Sequence, residues 1–331
     1  MRLLSFYSDS YTSLEKGFLV QDLHSSSETE HLLKCLLLEH EQYYLCTYDK
    51  DSDGCIWQSL NYFRGKGSEI RRTRILPVKG VPLYPYILNS SNSAVFYTFA
   101  GACSVLRECK EIIPEVKGIL DLAGQCTIKA PKGDFPVIVI EGLDATGKST
   151  LCHALKDRLN AFLLKSPPSC LSQWRKTFDE EPTLIKRAFY ALGNYIAACE
   201  IATLSCKAPV IIDRFWHSTA AYAIATEVGG KIENLPPHHH TLFQWPSDLL
   251  KPDIVLLLTV RPEVRIKRLQ ERGLGKTKEE NELEANSYFR QKVEEAYRRM
   301  ENPSCIVVDS APSKEDVLQH ILSLIRLYCG L

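Results

Sequence analysis

The feature that most limits the fold of this chain is a glycine-rich turn between a β-branched run and a helical pattern. The run is Val137 to Glu141, the turn spans residues 142–149, and the helical pattern extends from Lys148 to about Leu159. The turn has the form G-x-x-x-x-G-K-[ST], in which backbone N–H groups and the following helix N-terminus surround phosphate groups. We therefore interpret it as a phosphate-binding loop. Its predicted nucleotide ligands are Gly142, Leu143, Asp144, Ala145, Thr146, Gly147, Lys148, Ser149 and Thr150.

Strand and helix patterns alternate after this loop. Apolar runs at residues 161–164, 210–213, 253–260 and 305–309 have the length of buried strands, and helical stretches lie between them. Together with the run before the loop, they predict an α/β fold with a five-stranded doubly wound parallel sheet. Ligands of such sheets bind beyond the carboxyl ends of the strands, and we expect the functional residues there.

A second, smaller domain is predicted before the sheet. Ala130 to Pro136 carries two prolines and a glycine and reads as a linker, so we divide the chain into residues 1–132 and residues 133–331. The first part shows strand patterns with turn signals and then helical patterns, which predicts a mixed α/β domain without an interpretable motif. The predicted elements are strands at 43–48, 55–63 and 94–99, and helices at 104–111 and 115–123.

Three short patterns resemble binding sites but favour plainer interpretations. Residues 49–54 match the start of a calcium-binding loop, but Leu60 stands where a bidentate Glu is needed, so we predict a hairpin turn. The basic run at residues 71–74 is predicted to be a solvated strand end. The three histidines at 238–240 are predicted to be an exposed segment, because adjacent imidazoles do not converge on one metal ion.

Composition narrows the class of protein. The 40 basic and 40 acidic residues cancel, so no overall field attracts nucleic acid, and the apolar runs are too short to span a membrane. The twelve cysteines contain no Cys-x-x-Cys pair, which predicts reduced thiols. No targeting peptide is evident at the N-terminus.

An acid and an arginine lie together at the end of one predicted strand. Asp213 and Arg214 follow the apolar run 209–212, where we expect Asp213 to face Mg²⁺ and Arg214 to hold a second phosphate group. A simple ion pair is the alternative. No Asn-Lys-x-Asp guanine motif is present, which argues against a GTPase. The pattern favours an ATP-dependent phosphotransferase with Ser149 and Asp213 at the metal.

These residues resemble the thymidylate kinase family of P-loop nucleoside monophosphate kinases. The resemblance covers nearly all of residues 136–325 and is carried by 141–150, 213–222, 244–253 and 284–300. It implies ATP as donor, a pyrimidine nucleoside monophosphate as acceptor, a homodimer and a mitochondrial location. Its implied acceptor contacts are Asp144 to a sugar hydroxyl, Lys165 and Arg214 to the phosphate, Phe189 to the base and Tyr222 to the sugar. Phe189 and Tyr222 also suit a core role, and Lys165 suits a solvated surface.

Two departures from the family pattern carry information. Gly193 stands where thymidylate kinases place a base-reading arginine, so we predict uracil or cytosine as the base, with Asn194 or Tyr195 as reader. The predicted acceptors are therefore UMP, CMP, dUMP and dCMP. Ala145 stands where some members carry a catalytic arginine, so a lid at residues 271–284 is predicted to supply the charge. Its candidates are Arg272, Lys276 and Lys278, with Arg272 joining Lys148, Asp213 and Arg214 in the catalytic set.

Two other functions stay open from the sequence. A deoxynucleoside kinase needs a carboxylate base near the second strand, where Lys165-Ser166-Pro167-Pro168 has no acid, although acids follow at residues 179–181. A nucleotide-binding regulator, such as an innate-immune interaction protein, would use the first domain to recruit a partner. The resemblance links such a domain to antiviral responses.

Overall fold

The chain divides into two compact units, Met1–Lys79 and Gly80–Leu331. The structure is a computed structural model that describes residues 2–8, 19–22, 27–37, 43–50, 56–64, 67–75, 95–110, 112–126, 130–271, 283 and 285–330. Within these residues no helix combines the length and apolar character needed to cross a bilayer.

The first unit contains a five-stranded antiparallel sheet and one helix, in agreement with the predicted mixed α/β character. The strand order is β2-β1-β3-β4-β5. Lys50 pairs with Ile56, so the hairpin predicted around the calcium-loop-like run is confirmed, although residues 51–55 lie outside the described part. Residues 71–74 lie within β5. The elements are β1 (Arg2–Ser8), β2 (Leu19–Asp22), α1 (Ser27–Leu37), β3 (Tyr43–Lys50), β4 (Ile56–Arg64) and β5 (Gly67–Ile75).

The second unit is built on the predicted five-stranded parallel sheet. Its order is β10-β9-β6-β8-β7, and every neighbouring pair is parallel. The register sets Asp213 beside both Ile140 and Lys165, so the ends of the three strands meet at one edge. The strands are β6 (Val137–Gly142), β7 (Phe162–Lys165), β8 (Val210–Asp213), β9 (Ile254–Thr259) and β10 (Cys305–Asp309).

Helices cover both faces of this sheet. On one face, α4 and α10 pack on β6 and β9 through a fully apolar cluster that includes Ile138, Leu155 and Ile321. Burial of such side chains is the main driving force for this layered fold. The helices are α2 (Phe99–Cys109), α3 (Glu115–Gly124), α4 (Lys148–Leu159), α5 (Arg175–Glu180), α6 (Thr183–Leu204), α7 (Trp216–Glu227), α8 (Pro262–Glu271), α9 (Ser287–Arg299) and α10 (Lys314–Cys329).

The helices α2 and α3 correct the predicted domain boundary. Both belong to the second unit, where the Phe99 N–H donates to Asp248 Oδ2 at 2.9 Å and the Tyr97 hydroxyl donates to Leu242 O at 2.8 Å. The predicted strand at 94–99 is also wrong, because residues 95–97 are irregular and Thr98 caps a helix that begins at Phe99. The physical reason is packing: Phe99 meets Tyr195 of α6 edge-on instead of entering a sheet.

Candidate active site

The loop after β6 has the backbone of a phosphate cradle. Gly142 and Gly147 have φ values of 137° and 95°, and Ala145 adopts φ 62°. A Cβ at Gly142 would lie 2.4 Å from Leu258 O, so this position requires glycine. Gly147 precedes α4 and provides no side-chain cap, which leaves the first N–H groups of the helix for an anion.

Lys148 begins α4 and is held inside the loop. Its Nζ donates to Leu143 O at 2.7 Å, and only 7% of the residue is exposed. Burial lowers the pKa of Lys148 to about 8, with the charge of Arg214 acting in the same direction. Thr146 Oγ1 also donates to Leu143 O, at 2.8 Å, and Ser310 Oγ donates to Thr146 O at 2.7 Å. These bonds fix the shape of the loop.

A hydroxyl and a carboxylate lie together at the front of the loop. Ser149 Oγ donates to Asp213 Oδ2 at 3.1 Å, because the strand register brings the end of β8 beside the end of β6. Oxygen donors of these two kinds suit Mg²⁺, which commonly takes one or two protein oxygens and completes its shell with water and phosphate. In the described ranges no cluster of three or more metal-ligating side chains occurs. Ser149 and Asp213 are the residues that would hold Mg²⁺.

Arg214 projects its guanidinium over the loop from a left-handed backbone. Its φ is 66°, and its N–H donates to Ile140 O at 3.0 Å. Nη2 contacts Asp144 Oδ1 at 2.7 Å and Nη1 donates to Ser218 Oγ at 3.2 Å, while Cζ lies 6.0 Å from the centre of the Tyr222 ring. Three residues assigned to the acceptor by the resemblance, Asp144, Arg214 and Tyr222, are thus brought together.

Glu141 organises this region and was not singled out from the sequence. It is completely buried at the end of β6, and its Oε1 accepts the N–H groups of Phe215 and Ser218 at 2.8 and 3.2 Å. Its Oε2 accepts the Ser218 hydroxyl at 2.5 Å and the Tyr297 hydroxyl at 3.3 Å. Burial raises the pKa of Glu141. The only sequence signal was an acid at the end of an otherwise apolar strand.

The predicted base-binding residues lie on α6. Phe189 has no exposed surface, and its ring stacks on Phe178 with centroids 4.6 Å apart and planes 5° from parallel. Because the Phe189 ring is completely buried, base stacking on it stays a prediction that requires a neighbouring side chain such as Phe178 to move. Asn194 is also buried: its Oδ1 accepts from Ser166 at 2.6 Å and its Nδ2 donates to Thr219 at 3.1 Å.

Gly193 and Tyr195 have distinct surroundings on the same helix. A Cβ at Gly193 would lie 3.1 Å from Pro167 Cβ, because the turn after β7 crosses α6 there. The Tyr195 hydroxyl donates to Asp248 Oδ1 at 2.5 Å, and its ring meets Phe99 of α2. Tyr195 therefore takes part in attaching α2, and its role as an alternative base reader stays a prediction.

The remaining predicted site residues are either exposed on the surface or lie outside the described residues. Lys165 is exposed at the end of β7, beside Asp213 in the register. Thr150 is exposed on the first turn of α4. Arg272, Lys276 and Lys278 lie outside the described residues, so their lid role stays a prediction.

The surroundings of the histidines and cysteines agree with the plainer interpretations. His238 and His239 are exposed and lie 3.9 and 2.6 Å from Glu295 and Glu301, respectively. The ten cysteines whose side chains the structure describes are free.

Comparison with known proteins identifies the family. A family model described as thymidylate kinase matches residues 140–321. The human protein named "UMP-CMP kinase 2, mitochondrial" is 53% identical over 316 residues, which cover 94% of this chain and 70% of that protein. The chain belongs to the thymidylate kinase family.

Other members of the thymidylate kinase family match a smaller share of the chain. A probable thymidylate kinase from Methanocorpusculum labreanum is 31% identical over 57% of this chain and 97% of its own length. A solved thymidylate kinase from Candida albicans aligns with 21% identity and a TM-score of 0.46, over 58% of this chain and 92% of that one. As a member of the thymidylate kinase family, the chain is an enzyme of the nucleoside monophosphate kinase class.

Proposed function

We propose that this enzyme transfers the γ-phosphoryl group of ATP to the pyrimidine nucleoside monophosphates UMP, CMP, dUMP and dCMP. The observation that carries the proposal is the end of β8, which places Asp213 on Ser149 of the loop and Arg214 on Asp144. The end of β8 thus contributes Asp213 to the proposed metal position on the ATP side. The next residue, Arg214, is the proposed cation on the acceptor side. The 53% identity to a human UMP-CMP kinase supports the pyrimidine assignment.

The residues of the chain suit in-line transfer between two bound phosphates. Lys148 neutralises charge on the donor phosphates, and Arg214 holds the acceptor phosphate in line. Ser149 and Asp213 would hold Mg²⁺, which would neutralise charge on the donor phosphates. No catalytic base is needed, because a phosphate monoester with a second pKa of about 6 is already largely deprotonated at pH 7. Arg272 stays our candidate for a further cation.

The surroundings of Gly193 support a base other than thymine. An arginine at this position would have to displace Pro167, whose Cβ already lies within 3.1 Å of the Cβ position. The base edge must then be read by other groups. Asn194 forms a polar network with Ser166 and Thr219. These two hydrogen bonds use one acceptor position and one donor position of its amide and leave one of each for a base.

The deoxynucleoside kinase alternative finds less support. The turn after β7 contains no acid, and Asp179 further along bonds to the Tyr190 hydroxyl at 2.7 Å and pairs with Arg175 and Lys186. That carboxylate is thus occupied as an ion-pair and hydrogen-bond partner, whereas a general base must be within reach of the hydroxyl it deprotonates.

An ADP-release assay tests the proposal directly. ATP and Mg²⁺ are supplied with UMP, CMP, dUMP, dCMP, dTMP or deoxycytidine, and Lys148→Ala serves as the blank. We expect turnover with uridine and cytidine monophosphates and none with the blank. Preference for deoxycytidine would favour a nucleoside kinase, preference for dTMP would refute the base assignment, and ATP binding without any transfer would favour a regulator.

The resemblance and the human relative also lead us to infer a mitochondrial location and a homodimer. Fluorescence imaging of the full-length natural protein and light scattering of the purified chain test these inferences.

A further inference from the structure

One buried cation of the second unit has no hydrogen-bond partner among the residues that the structure describes. Arg265 of α8 is 1% exposed, and none of its three guanidinium nitrogens forms a hydrogen bond with any residue that the structure describes. The guanidinium is always charged and carries five N–H donors. A buried charge without partners is strongly unfavourable, and proteins keep one where a counter-charge completes it. Arg265 is therefore incomplete without an acceptor group.

Arg265 lines a small cavity next to the phosphate-binding loop. Leu143 and Thr146 of the loop and the end of β9 also line it. Glu294 and Tyr297 of α9 complete the lining, and Glu294 is the one acid among the described residues that line the cavity. Burial raises the pKa of Glu294, while the charges of Arg298, Arg290 and Arg265 lower it. The field of Arg265 thus reaches this carboxyl group.

The helix α9 is also connected by hydrogen bonds to Arg214, the proposed ligand of the acceptor phosphate. Tyr297 lies one turn after Glu294, on the same side of the helix. Its hydroxyl is 2.8 Å from Ser218 Oγ, which in turn accepts from Arg214 at 3.2 Å. Electrostatic attraction between Glu294 and Arg265 would therefore influence the position of Tyr297 on the same helix. Through the Ser218 hydroxyl, it would also influence Arg214.

We propose that Arg265 is a positioning residue for phosphoryl transfer, whose charge attracts the Glu294 carboxylate across this cavity and so holds α9 and Arg214 in register with the phosphate-binding loop. The proposal rests on the proposed function, because the register matters only when two phosphates must be aligned. Arg265 itself touches neither substrate. Its contribution belongs to alignment, where small displacements have large effects on rate.

The experiment uses the full chain with Arg265→Met, Glu294→Gln and both changes together. The readouts are kcat, KM for the monophosphate, the Kd of MgATP and Tm. We expect each single change to reduce kcat/KM for the monophosphate about tenfold, and the double variant to lose no more than either. The Kd of MgATP should stay the same. Arg265→Lys should retain part of the activity, and the reversed pair Arg265→Glu with Glu294→Arg should recover part of it.

Lys267→Met on the exposed side of α8 is the matched control and should behave as the wild type. Additive losses, with a weaker Kd of MgATP for Arg265→Met alone, would overturn the pairing and assign a donor phosphate oxygen as the partner of Arg265. A lower Tm with unchanged kcat and KM would make Arg265 only a core residue. If the wild type itself has no turnover, the proposed function fails, and non-additive Tm values with bound MgATP still test the pair.

Discussion

At the scale of single residues, the site contains a strained backbone that has a use. Arg214 occupies the left-handed region with φ 66°, a conformation that costs a residue with a Cβ about 1–2 kcal/mol. Such outliers persist where surrounding contacts compensate for them, and they concentrate at functional sites. Here the turn directs the guanidinium back over the loop, onto Asp144 and Ser218. The left-handed backbone of Arg214 is therefore what allows its guanidinium to reach Asp144 and Ser218.

Glycine and alanine at position 214 separate this strain from the charge. We expect both variants to lose at least about 100-fold in kcat/KM for the monophosphate, because each removes the charge-assisted contacts of the guanidinium. Arg214→Gly should be more stable than Arg214→Ala by about 1 kcal/mol, since glycine relieves the left-handed strain. Steady-state kinetics and urea unfolding measure the two effects. Equal stabilities would contradict the assignment of strain.

Lys148 makes nucleotide binding depend on pH. With its pKa lowered to about 8, the side chain is an ammonium below pH 8 and loses its proton above it. Bound phosphates favour the ammonium form and raise its pKa, so affinity for MgATP is full below pH 8 and falls as pH rises. Calorimetry at pH 8 in buffers of different ionisation enthalpy should detect proton uptake.

Lys148→Arg is the control for this titration, because a guanidinium keeps its charge throughout the range. Its affinity for MgATP, whatever its absolute value, should not change with pH between 7 and about 9. Proton uptake that persists in Lys148→Arg would assign the titration to another group.

At the scale of elements, α6 and the turn after β7 approach each other closely at the proposed acceptor site. The crossing at Gly193 and Pro167 leaves room for a hydrogen atom, and a Cβ would meet Pro167 at 3.1 Å. The helix therefore passes closer to the sheet edge than a longer side chain would permit. The identity of residue 193 therefore limits how closely α6 and this turn can pack.

Restoring the family's arginine should not restore the family's substrate. We expect Gly193→Arg to lower Tm and to reduce turnover of CMP without a gain in dTMP activity, since the new side chain must displace Pro167. Gly193→Ala, which adds only the Cβ, should have a smaller effect in the same direction. Thermal unfolding and the parallel substrate assay measure this series, and dTMP turnover in Gly193→Arg above the wild-type value would refute it.

The helices and strands were predicted more accurately from the sequence than the surfaces against which they pack. Apolar runs and the glycine signature predicted all five strands of the parallel sheet, and α4 begins and ends where the pattern placed it. The attachment of α2 and α3 was missed, because amphipathic periodicity shows that a helix has an apolar face but not which surface covers it. Glu141 and Arg265 were missed for a related reason. Their importance depends on burial and on partners distant in sequence.

At the scale of the whole molecule, the chain has two compact units, and the linker predicted around residue 133 lies inside the second. Gly133 is packed there: its N–H donates to Ser205 Oγ at 2.9 Å, and an added Cβ would lie 2.3 Å from Cys206 N. Leu106 and Ile119 of α2 and α3 are fully buried. Removal of these helices would expose apolar surface of the same unit.

Two truncations distinguish these boundaries. A chain beginning at Gly80 should unfold cooperatively and keep turnover near that of the full chain, because the second unit has its own core. A chain beginning at Asp134 should aggregate or lose several degrees in Tm, since it lacks the helices that cover part of α6. Calorimetry and the ADP-release assay decide. Full stability of the shorter chain would restore the predicted boundary.

Glu141 has a consequence for how the enzyme can change its specificity. The carboxyl group of Glu141, on a central strand, binds the start of α7, so Arg214, the proposed cation for the acceptor phosphate, is tied to the strand that carries the phosphate-binding loop. In the proposed function, the distance between the donor and acceptor phosphates is therefore determined by the sheet. Substitutions elsewhere around the base do not change it. Nearby substitutions on α6 can therefore alter the preferred base while the transfer geometry stays constant.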